Sequence, residues 1–231
     1  MNTISARLTA LRARIRAAAA AAGRSTADVR LVAVGKTFPP ERIREAIAAG
    51  ATDIGENYIQ EAREKYAALQ GVPATWHFIG HLQTNKAKYA VRMFDLIHTV
   101  DSFRLALEID RCARELGKVQ AVLVQVNVAA EETKSGVAPD EALPLVRRAA
   151  ALEHLAVKGL MTMPPFFDDP EGARPTFVEL RRLRDRLQSS APQGVELKEL
   201  SMGMSGDFEV AVEEGATLVR IGTALFGPRQ P

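Results

Sequence analysis

Short apolar runs rich in β-branched residues alternate with longer amphipathic segments along most of the chain. The runs fall near Leu31–Val34, Thr52–Ile54, Thr75–Ile79, Leu96–Val100, Ala121–Val128, Leu155–Leu160, Glu196–Leu200 and Thr217–Ile221. Their length and composition predict strands. The segments between them carry helical periodicity: Glu41–Ala49, Asn57–Leu69, Thr84–Phe94, Ser102–Leu116, Pro139–Ala150, Glu171–Gln188 and Ser205–Glu214. Pro39 and Pro40 suit the first turn of a helix, and Gly50, Gly71, Gly117 and Gly215 mark helix ends. Ahead of the first strand, Ile4, Leu8, Leu11 and Ile15 recur at helical spacing over Asn2–Ala22, and Gly23 stops the pattern. That stretch is Arg-rich and acid-poor, as a transit peptide would be, but its apolar stripe reads as a leading helix of the fold over residues 1–22.

Eight strands, each but the last followed by a helix, mean parallel strands joined by crossover helices. This repeat number and length predict one α/β domain over residues 1–231, a (β/α)8 TIM barrel with an extra N-terminal helix. The rival architecture, a doubly wound open sheet, would carry GxGxxG after its first strand; here the strand runs into Gly35-Lys36-Thr37.

Composition narrows the picture without changing it. The 231 residues are 47% hydrophobic with a net charge of +2, which excludes a disordered chain and gives no field that would attract nucleic acid. Cys112 is the one cysteine, so no internal disulfide forms, in keeping with a cytoplasmic location. No apolar run reaches the roughly 18 residues of a membrane span.

In a barrel of this kind chemistry sits after the C-terminal ends of the strands. Lys36 follows the first strand, Glu56 and Asn57 the second, and Gly80 and His81 the third; Asn127 ends the fifth, and Met161–Met163 follow the sixth. Ser201-Met202-Gly203-Met204-Ser205-Gly206 follows the seventh, and Arg220, Gly222 and Thr223 close the eighth. The last two loops are where barrels often hold a phosphate, glycines allowing backbone N–H groups to approach the anion. A lysine at the mouth can form a Schiff base with a carbonyl, although most lysines simply keep their ammonium in water. Together, such a lysine and a phosphate cradle suit pyridoxal 5′-phosphate (PLP) or, less well, a phosphosugar aldolase. Arg220 can only donate, so beside a pyridine nitrogen it would keep that nitrogen unprotonated and weaken the ring as an electron sink; pairing with a barrel carboxylate is the equal alternative. His81 could be a base, a phosphate donor or a helix-start residue. No histidine or carboxylate spacing suggests a metal site, because the strand-to-loop change between His77 and His81 breaks their four-residue spacing.

At these residues the sequence resembles the pyridoxal phosphate homeostasis proteins, single-domain relatives of the alanine racemase N-terminal barrel. The carrying segments are Ala33-Val34-Gly35-Lys36-Thr37, Gly55-Glu56-Asn57-Tyr58 and Trp76-His77-Phe78-Ile79-Gly80-His81-Leu82-Gln83-Thr84-Asn85-Lys86. Further on are Val126-Asn127, Lys134-Ser135-Gly136, Gly159-Leu160-Met161-Thr162-Met163, Leu200-Ser201-Met202-Gly203-Met204-Ser205 and Arg220-Ile221-Gly222. The resemblance implies a fold-type III PLP barrel in which Lys36 carries the cofactor as an aldimine. It further implies that Ser201, Met202, Gly203, Gly222 and Thr223 lie at the phosphate, that Arg220 faces the pyridine nitrogen, and that Asn57 and His81 line the pocket. The implied role is intracellular vitamin B6 homeostasis, buffering PLP or delivering it to PLP-dependent apo-enzymes, by a monomer or weak dimer with no metal, membrane or nucleic-acid partner and no efficient turnover. The alternative is a PLP-dependent amino-acid racemase. A racemase of the related type needs a second base, a tyrosine from an added domain, and a chain ending at Pro231 is expected to lack that domain.

Overall fold

The computed structural model describes residues 3–131, 134–192 and 195–228. The leading helix, α1 (Ile4–Ala21), starts where Thr3 caps it by accepting from the Ala6 N–H at 3.2 Å. Eight β/α units follow: β1 (Arg30–Val34) and α2 (Pro40–Ala48), β2 (Asp53–Glu56) and α3 (Ile59–Ala68), β3 (Thr75–Phe78) and α4 (Ala87–Met93), β4 (Leu96–Val100) and α5 (Phe103–Glu115). The second half comprises β5 (Gln120–Gln125) and α6 (Ala142–Ala150), β6 (Leu155–Met161) and α7 (Arg174–Ser190), β7 (Glu199–Ser201) and α8 (Phe208–Glu213), β8 (Leu218–Ile221) and α9 (Thr223–Phe226). All eight strands pair in parallel, in chain order, and close into a barrel.

Closure divides the core in two. Between strands and helices lies the main layer, where residues such as Ile54, Phe78, Ile97, Val124, Phe177 and Phe208 are buried. Inside the barrel, Val32, Leu96, Leu123, Met161 and Leu218 form a smaller cluster. Strand registry puts Asp53 and Arg220 level with Val32 on this inner face, and His77 level with Leu96. The leading helix packs its apolar stripe across α2, α8 and α9 and is tied down by its arginines. Arg12 reaches the Gly50 carbonyl at 2.6 Å, and Arg14 makes a two-pronged pair with Glu209 at 2.7 Å.

The (β/α)8 expectation holds, with local differences. Residues 1 and 2 of the expected leading helix lie outside the described residues. Asn57 and Tyr58 precede α3, so Asn57 belongs to a loop. The helix expected from Ser205 begins only at Phe208, because Gly203 (φ 89°) turns the chain and residues 204–207 form a further turn. The eighth strand does have its helix, the short α9. Among the described residues no helix is long and apolar enough to cross a membrane.

Candidate functional site

A cavity of about 600 Å³ opens at the C-terminal ends of the strands. This is the size range of small-molecule sites. Lys36, Asn57, Arg220, Gly222 and Thr223 line it, so five of the nine expected residues, drawn from both ends of the chain, converge on one space. Its rim is the irregular segment after β6, Met163 to Phe167, where Phe166 is 89% exposed.

The loop bearing Lys36 is clamped from behind. Lys65 on α3 is buried and donates to the Gly35 carbonyl at 2.8 Å, to Glu56 at 2.9 Å and to Glu61 at 3.2 Å. Glu61 also accepts the Thr37 N–H at 2.8 Å. Thr37 sits at φ 69°, a region that β-branched residues avoid, so the clamp holds the backbone on either side of Lys36 in a conformation it would not adopt alone. Glu56 is fully buried, and burial pushes its carboxyl up to about 7 against the opposing charge and hydrogen bond of Lys65; Glu61 adds to the rise and Lys36 opposes it.

On the β8 side of the Lys36 strand, the turn after β7 meets the start of α9. The Gly222 and Ala224 N–H groups both point to the Ser205 hydroxyl at 3.3 Å. Two backbone donors and a hydroxyl thus converge where Gly222 and Thr223 face the cavity, a donor set suited to a phosphate. A Cβ on Gly222 would meet nothing nearer than 3.5 Å, so its glycine is not imposed by the surrounding protein. On the cavity lining after β2, the Oδ1 of Asn57 is buried without a partner.

Arg220 forms the floor of the cavity. Burial brings its guanidinium down to about 10, with Asp207 opposing, which leaves it charged at neutral pH. It donates to the Ser201 hydroxyl at 2.6 Å and to the Thr162 carbonyl at 2.9 Å. Among the described residues no carboxylate makes a hydrogen bond or ion pair with it, and the Asp207 carboxylate acts on it through space.

Four of the nine expected residues do not line the cavity. Ser201 does not line the cavity: it ends β7 facing the barrel interior, fully buried, its hydroxyl engaged by Arg220 and by His98 at 2.9 Å. Met202 and Gly203 are buried in the turn behind it, and a Cβ on Gly203 would lie 2.5 Å from the Ala211 side chain. Ser205, four residues on, does line the cavity. His81 also lies outside, largely exposed, with Nδ1 3.1 Å from Ser135 and 3.8 Å from Asp101. The lining also includes residues that no motif marks for the pocket: Glu131, Asp207 and Lys134, which donates to the Pro164 carbonyl at 2.8 Å. Among the described residues no group of His, Cys, Asp and Glu could hold a metal ion.

A family model described as alanine racemase, N-terminal domain, matches residues 6–230. The chain is 49% identical to the pyridoxal phosphate homeostasis protein of Aquifex aeolicus over 97% of both chains. It is 44% identical to the protein of that name from Pseudomonas aeruginosa, over 99% of this chain and 97% of that one. Among solved structures, PipY of Synechococcus elongatus PCC7942 with PLP bound superposes with a TM-score of 0.85 at 40% identity, covering 97% of this chain and all of that one. An alanine racemase from Clostridium difficile, 16% identical with a TM-score of 0.75, shares the fold over 97% of this chain and 56% of its own. The chain therefore belongs to the pyridoxal phosphate homeostasis protein family, built on the alanine racemase N-terminal domain.

Proposed function

We propose that this protein binds PLP at the barrel mouth and serves vitamin B6 homeostasis by holding and releasing it, in the cytoplasm. The observation that carries the reading is the convergence of Lys36, the Ser205–Gly222–Ala224 donors and Arg220 on one cavity. PLP supplies an aldehyde, a phosphate and a pyridine ring. Lys36 is the group for the aldehyde: its amine condenses with the carbonyl carbon to give an imine, and one water leaves. The donors around Ser205 take the phosphate. Arg220, which has donors only, would hydrogen-bond the ring nitrogen and keep it unprotonated. That favours storage over carbanion chemistry. The titratable lining residues besides Lys36 are Glu131, Lys134, Asp207 and Arg220. The mouth, rimmed by exposed Phe166, leaves the bound group within reach of a recipient apo-enzyme.

Adding PLP should produce an imine absorbance band. Borohydride followed by peptide mapping should then place the pyridoxyl group on Lys36, and Lys36→Ala should lose the band. Labelling confined to Lys134 would overturn the assignment.

The phosphate cradle makes a separate prediction. Ser205→Ala should weaken PLP binding by about 1.5–3 kcal/mol, the range for hydrogen bonds to charged groups, and leave unphosphorylated pyridoxal nearly unaffected. Equal losses for both ligands in parallel titrations would show that Ser205 does not serve the phosphate.

A further inference from the structure

The barrel interior is not purely apolar. A continuous row of hydrogen bonds crosses it from the start of β2 to the cavity floor. Asp53 accepts from His77 Nε2 at 3.0 Å; His77 Nδ1 lies 2.9 Å from His98 Nε2; His98 Nδ1 lies 2.9 Å from the Ser201 hydroxyl; and that hydroxyl accepts from Arg220 at 2.6 Å. All five side chains are buried. The second Asp53 oxygen accepts from Thr52 at 2.7 Å, and Arg30 approaches the first at 3.4 Å. The row joins five strands, and its His98–Ser201 link spans the lumen from β4 to β7.

The chemistry of the ends dictates the direction of every bond. Arginine has donors only, so the Ser201 oxygen accepts from Arg220. The one Ser201 proton then goes to His98, since no further acceptor for it exists among the described hydrogen bonds. His98 is therefore bare at Nδ1. Complete burial keeps it neutral, helped by the neighbouring charges of Arg220 and Arg30, so its proton is on Nε2. It donates to His77 Nδ1, which is bare in turn, and the His77 proton on Nε2 goes to Asp53. Each donor meets an acceptor, and every dipole runs the same way, from the Arg220 cation to the Asp53 anion.

We propose that Asp53, His77, His98 and Ser201 are positioning residues for Arg220, a one-way hydrogen-bond row that fixes its guanidinium at the cavity floor without neutralising it. A carboxylate in Ser201's place would pin Arg220 equally well but cancel its charge toward the cavity. The row supplies an oriented neutral oxygen instead and keeps Asp53 at the far end of the barrel, while Asp207 on the cavity lining acts on Arg220 through space without a hydrogen bond. The consequence for a ligand rests on the PLP reading above; the row itself does not.

The experiment therefore has two parts. In the ligand-free protein with 15N-labelled histidine, NMR should show His77 and His98 both neutral, both protonated on Nε2 and both bare on Nδ1. A protonated Nδ1 on either ring would overturn the direction of the row. Ser201→Ala removes the donor to His98, so the 15N shifts of His98 should move toward a mixture of tautomers while the protein stays folded by circular dichroism. The same variant should retain PLP about two- to tenfold less well, the loss of one hydrogen bond, and Ser201→Thr, which keeps the hydroxyl, should restore both signals. Unchanged His98 shifts and unchanged PLP retention in Ser201→Ala would sink the proposal. Wild type that takes up no PLP would instead defeat the cofactor reading, and the tautomer pattern would still decide the row.

Discussion

Lys65→Met is expected to destabilise the fold by about 3–5 kcal/mol near neutral pH, the cost of stripping one partner from a buried ion pair. Methionine keeps most of the apolar stem and removes only the ammonium, so packing changes little. The ammonium serves three acceptors at once, and without it Glu56 is left as a fully buried carboxylate whose Oε2 already lacks a partner. The loss should depend on pH. In the wild type the folded-state pKa of Glu56 is raised to about 7 from 4.5, so the folded state binds more protons over this interval and stability falls as pH rises through it. Removing Lys65 raises that pKa further and extends the decline to higher pH. The deficit of Lys65→Met should therefore be smaller at pH 5 than at pH 8 in urea unfolding curves. A pH-independent loss below about 1 kcal/mol would show that the clamp contributes little. Because the same ammonium fixes the Gly35 carbonyl beside Lys36, the variant should also form the PLP imine more slowly.

The parts of the fold that were legible in the sequence are those where local chemistry and tertiary role agree. Ile4, Leu8, Leu11 and Ile15 repeat at helical spacing, and they are the residues that α1 buries. The strands were found as apolar runs, but which way their polar residues face was not legible. β4, Leu-Ile-His-Thr-Val, is buried at all five positions, so no alternation marks His98 as an inward residue. His77, Asp53 and Ser201 are hidden in the same way. Their meeting depends on closure and registry, which bring β4 opposite β7. The loop after β7 posed a different difficulty. Two serines four residues apart compete for one role, and the left-handed turn at Gly203 sends Ser201 inward and Ser205 outward. Lys36 and Gly222, in the loops after β1 and β8, and Arg220, near the end of β8, do line the cavity, but a place at a strand end is not enough, since Ser201 ends β7 and turns inward.

Gly80→Ala should cost at least the 1–3 kcal/mol typical of overpacking and should disturb the ligand site as well. Gly80 follows β3 where the chain passes the loop after β2. An added Cβ would lie 2.0 Å from the Asn57 carbonyl oxygen, 2.7 Å from its carbon and 2.8 Å from its Cα. These are backbone atoms, so no rotamer change relieves the clash. Moving Gly80 instead strains the hydrogen bond that its carbonyl accepts from the buried Thr99 hydroxyl at 2.6 Å. The cheaper response is displacement of the Asn57 segment, which carries a lining residue out of place and pulls on neighbouring Glu56 in the clamp behind Lys36. Stability and PLP affinity should thus fall together. Gly206→Ala is the matched comparison: Gly206 lines the same cavity, yet an added Cβ meets no atom within 4 Å. It should stay within about 0.5 kcal/mol of wild type. Urea unfolding of both variants, beside PLP titration of Gly80→Ala, tests the argument. A Gly80→Ala protein as stable as Gly206→Ala would mean that the Asn57 loop yields freely, and its rigidity could then not be what holds that wall of the cavity in place.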